Sequence, residues 1–228
     1  MKAADIMTTQ VVTANDESRI ADVANLLLQN HISAVPVVDG SGKLVGIVSE
    51  GDLVRRAEIG TQSRHSWWLE MFSSPEALAR EYIKEHGQRA RDIMTKNVVT
   101  VGPDASLDVI ANLLESHRIK RVPVVENDKL VGIVSRSNLV RALAAGAKDL
   151  LATGNPDDAN IRERVLSGLK SEPWCPFMLN VVVHKGQVDL WGIVKNEDEK
   201  RAARIAAEVT PGVVAVQDKL VISPPSYV

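Results

Sequence analysis

The stretch "DIMTTQVVT" (residues 5–13) returns almost unchanged as "DIMTKNVVT" (residues 92–100). In the same way, "KLVGIVSEGDLVR" (residues 43–55) returns as "KLVGIVSRSNLVR" (residues 129–141). Two matching pairs at nearly the same spacing indicate one unit that has been duplicated. A duplicated unit usually packs on its copy across a pseudo-two-fold axis, because neither copy buries its apolar face alone. The sequence therefore predicts paired copies with paired sites.

The composition is that of an ordinary globular protein. The 228 residues are 45% hydrophobic and 25% charged, enough for roughly two domains. A net charge of −2 argues against a nucleic-acid partner. The start "MKAADIMTTQ" lacks the apolar core of a signal peptide, and no stretch approaches a membrane span. We therefore expect a cytoplasmic protein, and its single cysteine, Cys175, excludes an internal disulfide.

Both copies contain the same series of predicted elements. A short β-rich run (residues 11–13 and 98–101) precedes a helix that has apolar residues such as Val23 and Leu27 at helical spacing. Two strands follow, and a final helix starts at Ser49 in the first copy. The predicted order is strand, helix, strand, strand, helix (βαββα), and the fold class is α+β or α/β.

Two motifs in each copy resemble a known family. The strands "AVPVVD" and "RVPVVE" carry a Val-Pro-Val core, and "GIVSEGD" follows a Gly-hydrophobic-hydrophobic-Ser/Thr-x-x-Asp pattern. Residues 3–56 and 90–144 therefore resemble the cystathionine-β-synthase (CBS) domain, which occurs in tandem pairs. The resemblance implies a sensor that binds an adenosine-type ligand, AMP, ATP or S-adenosylmethionine, in clefts between the copies. It implies neither a catalytic residue nor a required cofactor.

The residues of the first copy support such a site on physical grounds. The strand ending at Val48 meets a helix beginning near Ser49, so free backbone N–H groups there can face a phosphate. Asp52 in the first helical turn can accept hydrogen bonds from ribose hydroxyls, as an acid does in dinucleotide-binding folds. The alternative is that Ser49 is only a helix cap and Asp52 only an acid favoured near a helix start.

The second copy differs from the first at the corresponding positions. Asn138 replaces the acid and offers only one good acceptor. Arg118, Lys120, Arg121 and Arg136 supply phosphate partners, whereas the first copy has only His31 in the stretch before its strand. We therefore expect two non-equivalent sites. A solvated strand start remains the alternative for Lys120 and Arg121.

The resemblance and this reasoning together give the candidate ligand-binding residues. They are Thr13, Val35, Pro36, Ser49, Asp52, Thr100, Lys120, Arg121, Val122, Pro123, Ser135, Arg136 and Asn138. No metal ligand is predicted.

The predicted boundaries are residues 1–56 for the first repeat, 57–89 for a helical insert, and 90–144 for the second repeat. A linker (145–156), a small C-terminal domain (157–223) and a tail (224–228) follow. In the insert, Ser74, Pro75 and Glu76 read as a helix start and Gly87 as its stop. An aromatic patch, formed by Trp67, Trp68, Met71 and Phe72, should cover the repeats; a dimer contact and adenine stacking are the alternatives.

The C-terminal stretch has its own pattern. "FMLNVVVHKGQVDLWGIV" predicts a hairpin turning at Lys185 and Gly186, and "NEDEKRAARIAAEVT" opens with an Asn-x-x-Glu capping box. The order helix, strand, strand, helix, strand (αββαβ) over residues 157–223 resembles the BON domain. This resemblance implies a phospholipid or protein partner and a link to stress response, although the missing signal peptide weakens the membrane part.

The leading functional hypothesis is a cytoplasmic, non-enzymatic regulator with the BON domain as output or localisation module. The alternative is a non-catalytic interaction or membrane-associated stress protein whose CBS pair is a dimerisation scaffold. Both hypotheses include a homodimer formed through the CBS domains, because the repeated helices are apolar enough for two surfaces.

Overall fold

The computed structural model describes residues 1–54, 56, 59–61, 74–145 and 156–223. The aromatic patch at Trp67, Trp68, Met71 and Phe72, most of the predicted linker and the tail 224–228 lie outside these residues. Contacts group the chain into two units. One comprises residues 12–98 with 128–130, and the other residues 1–11, 99–127 and the described residues from 131 onward.

The described elements alternate between helices and short strands. The helices are α1 (Ala3–Ile6), α2 (Ile20–Gln29), α3 (Glu50–Leu53), α4 (Pro75–His86), α5 (Ala90–Ile93), α6 (Leu107–Ser116), α7 (Arg136–Ala144), α8 (Pro156–Lys170) and α9 (Glu197–Glu208). The strands are β1 (Ala14–Asn15), β2 (Ala34–Val38), β3 (Leu44–Ser49), β4 (Arg121–Glu126), β5 (Lys129–Ser135), β6 (Phe177–His184), β7 (Gln187–Val194) and β8 (Ala215–Ile222). This mixture confirms the predicted fold class.

The first repeat has the complete predicted element order, and the second has it from α6 onward. In the first, β1 runs parallel to β2, and β2 pairs antiparallel with β3. The β1 strand begins at Ala14, after the predicted run 11–13. In the second repeat β4 pairs with β5, and the opening run contributes one parallel bridge between Val101 and Val124.

The short opening helices are exchanged between the repeats. Ala3 and Ile6 of α1 are fully buried in the core of the second repeat, and Ala90 and Ile93 of α5 are buried in the core of the first. A one-turn helix with two apolar side chains cannot bury them by itself, so it depends on a surface built by other elements. Each repeat core is therefore completed by the opening segment of the other repeat.

Each exchanged segment also places a methionine against a glycine. A Cβ atom added to Gly132 of β5 would overlap the side chain of Met7, and one added to Gly46 of β3 would overlap that of Met94. The glycine of both "GIVS" motifs is thus explained by close packing, since every larger residue needs the space that the methionine fills.

Helix α4 confirms the helix predicted in the insert and ends directly before Gly87. The buried side chain of Arg56 holds its C-terminal end, donating to the carbonyls of Lys84 (2.8 Å) and Gly87 (2.6 Å). A cation is favourable at this end, where carbonyl groups lack helical partners.

The C-terminal domain is a three-stranded sheet with two helices, in the predicted order α8, β6, β7, α9, β8. Lys185 and Gly186 both have positive φ, 50° and 75°, as a two-residue hairpin turn requires. The carboxylate of Asp158 accepts hydrogen bonds from both turn N–H groups, at 2.8 and 2.9 Å. The cap of α9 also forms, since Asn196 accepts from the Glu199 N–H at 2.8 Å.

Candidate functional site

The candidate site of each repeat lies where its last strand runs into a helix. Ser49 joins β3 to α3, and Ser135 joins β5 to α7. Both serines are half-buried with extended backbones, φ −120° and −114°. An extended residue directly before a helix is in the N-cap conformation, so its side chain and that of the third helical residue lie close together.

In the first repeat, Asp52 is the centre of the polar contacts. One carboxylate oxygen accepts from the N–H of Ser49 at 2.9 Å and from its hydroxyl at 2.7 Å. The other accepts from Nζ of Lys84 on α4, at 3.3 Å. The Asp52 side chain is 13% exposed. Because a carboxylate has about four acceptor positions, this one caps the helix and retains capacity for a ligand hydroxyl.

In the second repeat, the side chain of Asn138 is more fully engaged. Its Oδ1 accepts from the N–H of Ser135 at 2.9 Å and from its hydroxyl at 2.6 Å. Its Nδ2 donates to the carbonyl of Ile6 at 2.8 Å, and Thr8 Oγ1 lies 3.4 Å away. Asn138 is only 2% exposed. An amide fits here because its oxygen must accept from Ser135 and its nitrogen must donate to the Ile6 carbonyl. In the first repeat, the second side-chain atom of Asp52 instead meets the ammonium group of Lys84, which requires an acceptor.

The sequence reasoning about free N–H groups was wrong for the first two amides of each site. The Ser49 and Ser135 N–H groups donate to Asp52 and Asn138. The next N–H, of Glu50 and of Arg136, donates to the carbonyls of Ser33 (3.0 Å) and Lys120 (3.1 Å). The residues before β2 and β4 supply these carbonyls, a long-range contact that the motif does not encode. A phosphate at either junction would need other donors.

The strand residues of the candidate set are core residues. Val35 and Val122 are 0% exposed, and Pro36 and Pro123 are also buried. Because these figures cover side-chain and main-chain atoms together, a ligand could contact these four residues only after a local movement, and the Pro123 carbonyl already accepts from the Val101 N–H at 3.1 Å.

Thr13 directly precedes β1 and is half-buried, and Thr100 directly precedes Val101 and is exposed.

The cations of the second repeat are divided between two places. Arg118 and Arg136 line a cavity of about 400 Å³ with Ala111, Leu114, Glu115 and Leu139. Lys120 and Arg121 stand instead at the start of β4, exposed and half-buried respectively.

A connection from this site to the C-terminal domain was missed by sequence reasoning. The Ile6 carbonyl accepts a hydrogen bond from Nδ2 of Asn138, and it also accepts one from Nδ2 of Asn180 on β6, at 2.7 Å. The guanidinium of Arg141 on α7 lies over the Trp191 ring of β7, 5.2 Å from its centroid. Both contacts join residues that lie far apart in the chain, so local sequence patterns do not report them. The sequence feature that could have indicated them is a polar residue, Asn180, within an otherwise apolar predicted strand.

No group of three or more His, Cys, Asp or Glu side chains among the described residues is placed to hold a metal ion. Within the same residues, no helix is long and apolar enough to cross a membrane.

Comparisons with known proteins agree with this architecture. An uncharacterized protein of Methanocaldococcus jannaschii is 36% identical over 61% of this chain and 89% of its own length. CBSX1, a chloroplastic CBS domain-containing protein of Arabidopsis thaliana, is 34% identical over 62% of this chain and 60% of its own length. The crystal structure of CBSX2 in complex with AMP has 29% identity and a TM-score of 0.55, over 63% of this chain and 97% of that one.

The family matches extend over both parts of the chain. The CBS domain matches residues 3–58 and 90–145, and the BON domain matches residues 157–224. Together with the two repeat cores and the separate αββαβ core, these matches show that the chain belongs to the CBS domain family and carries a BON domain after its CBS pair.

Proposed function

We propose that this chain is a regulatory protein that binds an adenosine-type ligand, AMP, ATP or S-adenosylmethionine, and that its BON domain relays or localises the response. The principal site is the Ser49–Asp52 junction of the first repeat. The second repeat binds more weakly or only through its cations, because Asn138 is already engaged on both sides. In this proposal the chain is a sensor and catalyses no reaction.

The placement of Asp52 is the observation that carries the proposal. Its carboxylate is oriented by Ser49 and faces Lys84 with its other oxygen. An oriented carboxylate that is not fully desolvated can accept from both hydroxyls of a ribose, and the nearby ammonium can attract a ligand phosphate. CBSX2, whose structure resembles this chain, was crystallised in complex with AMP, which supports the same ligand class here.

The proposed output role is supported by the polar bridge between α7 and the BON domain. Asn138 and Asn180 share the Ile6 carbonyl, and Arg162 of α8 donates to the neighbouring carbonyl of Met7 at 2.9 Å. A ligand that is bound by the cations of the second repeat and shifts α7 would move Asn138 and so remove one of two donors from the Ile6 carbonyl. The N-terminal segment is therefore a second route to the BON domain, besides the predicted linker.

Isothermal titration of the full chain with AMP, ATP and S-adenosylmethionine tests the ligand. Asp52→Asn is the informative variant, because asparagine already caps the equivalent helix of the second repeat and should preserve the fold. We expect it to weaken binding roughly ten- to a hundredfold, since a hydrogen bond to a charged group is lost. Asp22→Asn, which breaks an exposed pair with Arg19, is the matched control and should bind as the unaltered chain does.

Two results would oppose the proposal. Absence of binding to all three ligands would favour the scaffold hypothesis, in which the CBS pair serves only for dimerisation. Equal affinity in Asp52→Asn and Asp22→Asn would remove Asp52 from the site while leaving the ligand class intact.

The remaining partners and the cytoplasmic location stay predictions. Exposed apolar side chains on α2 and α7, Leu28, Val140 and Leu143, support a homodimer, because such side chains are a common part of subunit interfaces. A phospholipid or protein partner of the BON domain rests on the family resemblance alone.

A further inference from the structure

A buried positive charge lies where α8 meets the N-terminal segment. Arg162 is only 9% exposed. Its Nε donates to the Val181 carbonyl at 2.8 Å and its Nη2 to the Met7 carbonyl at 2.9 Å. Among the described residues, no carboxylate forms an ion pair with this guanidinium, and its Nη1 has no acceptor.

This arrangement is unfavourable without a counter-charge. Buried charges are normally paired, because the loss of hydration is offset only by an opposite charge and a full set of hydrogen bonds. Burial lowers the pKa of the Arg162 guanidinium to about 10, although Asp5 acts in the opposite direction. At neutral pH the side chain still carries its positive charge, so an anion placed beside it would be stabilised.

A cavity of suitable size lies next to this charge. Arg162 lines a space of about 390 Å³ between the N-terminal segment and α8, within the size range of small-molecule sites. Thr9 lines the same cavity, and its hydroxyl is buried without a hydrogen-bond partner among the described residues. The apolar part of the wall consists of Ala4, Met7, Ala159 and Leu166.

The remaining charges restrict the ligand. Asp5, Glu163 and Lys170 also line the cavity, so with Arg162 the wall holds two acids and two bases. Both carboxylates repel a dianion such as phosphate about twice as strongly as a monoanion, and both bases repel a cation. A neutral ligand would leave the Arg162 guanidinium without an anion in direct contact. The combination of one unpaired guanidinium group and an apolar wall fits a single carboxylate with a short apolar body.

We propose that this cavity binds a small organic monocarboxylate. Its carboxylate accepts from Nη1 of Arg162 and from the hydroxyl of Thr9, and its apolar body contacts Met7 and Leu166. The site is separate from the serine junctions and does not depend on a nucleotide.

Hexanoate is the probe, with 1-hexanol as its uncharged counterpart and inorganic phosphate as the dianion, each titrated into the full chain. We expect saturable hexanoate binding that is at least about tenfold tighter than that of hexanol. The Nε–H NMR signal of Arg162 should shift with hexanoate only. Arg162 itself is not replaced, because its bonds to Val181 and Met7 also support the fold.

Three variants complete the test. Thr9→Val retains the shape and removes the hydroxyl, so affinity for hexanoate should fall about three- to tenfold. Glu163→Gln removes one repelling charge and should tighten binding about two- to fivefold. Glu126→Gln, an equal change of charge on an exposed residue outside the cavity, should leave affinity unchanged. The proposal is overturned if hexanol or phosphate binds as tightly as hexanoate, or if all three variants bind alike.

Discussion

At the scale of single residues, Asn138 shows how one side chain can serve the fold and a candidate site together. Its buried amide accepts at the Ser135 cap and donates to the Ile6 carbonyl. An amide is required because one end meets the donors of Ser135 and the other end meets an acceptor, the Ile6 carbonyl. The difference between Asp52 and Asn138 therefore reflects their neighbours, a lysine in one repeat and a carbonyl in the other.

Asn138→Asp should destabilise the protein. The change places a carboxylate oxygen beside the Ile6 carbonyl in a buried position and leaves that carbonyl with one donor fewer. We expect a loss of about 1–3 kcal/mol in the free energy of unfolding, measured by urea denaturation. Lowering the pH should restore part of the lost free energy of unfolding, because a protonated carboxyl group can again donate to the Ile6 carbonyl. Asn112→Asp on the exposed side of α6 is the control, and an equal loss there would contradict this explanation.

The glycine of the second "GIVS" motif gives another residue-scale prediction. Gly132→Ala should cost about 1–3 kcal/mol of stability, because the added methyl group overlaps Met7 in a closely packed core. Gly102→Ala in the same repeat adds a methyl group where no heavy atom lies within 4 Å, so its effect should stay within about 0.5 kcal/mol. Thermal unfolding of the two variants side by side decides the matter. Equal melting temperatures would show that Met7 moves aside at little cost.

At the scale of elements, the β6–β7 hairpin is held by a side chain from a different element. Asp158 of α8 accepts from both N–H groups of the turn. Asp158→Ala should lower the stability of the BON domain by about 1.5–3 kcal/mol, as expected for hydrogen bonds to a charged group. Asp198→Ala, in the exposed first turn of α9, is the comparison. A larger effect at Asp198 would place the stabilisation at the helix start and not at the turn.

The elements also show what sequence reasoning can reach. The repeat, the α4 helix, the Lys185–Gly186 turn and the Asn196 cap depend on residues close together in the chain, and local geometry determines them. The exchange of α1 and α5 depends on apolar surfaces more than 40 residues away in the chain, and the Asn138 bond to Ile6 joins positions 132 residues apart. No periodicity or spacing reports such contacts. The candidate site residues were therefore chosen by motif, whereas their hydrogen-bond partners could not be predicted in that way.

At the scale of the whole molecule, the proposed signal passes from α7 to the BON domain. A ligand alters an equilibrium only through its different affinity for the two arrangements, and couplings of about 1–3 kcal/mol are typical. Saturating AMP should therefore change hydrogen exchange in β6 and β7, which contact the N-terminal segment and α7 through Asn180 and Trp191. Identical exchange with and without AMP, under conditions where titration shows binding, would make the BON domain independent of the site.

The exchanged opening helices have a consequence for how this chain is made. During synthesis the first repeat leaves the ribosome before residues 90–93 exist, so its core lacks Ala90 and Ile93 until the second repeat has begun to emerge. Residues 3–6 remain unburied for longer still, because the core that buries them contains Ile110, Val122 and Val134. Long sequence separation slows folding and prolongs the exposure of apolar surface. Neither repeat should therefore fold when it is produced alone, whereas mixing the two separately expressed halves should restore both.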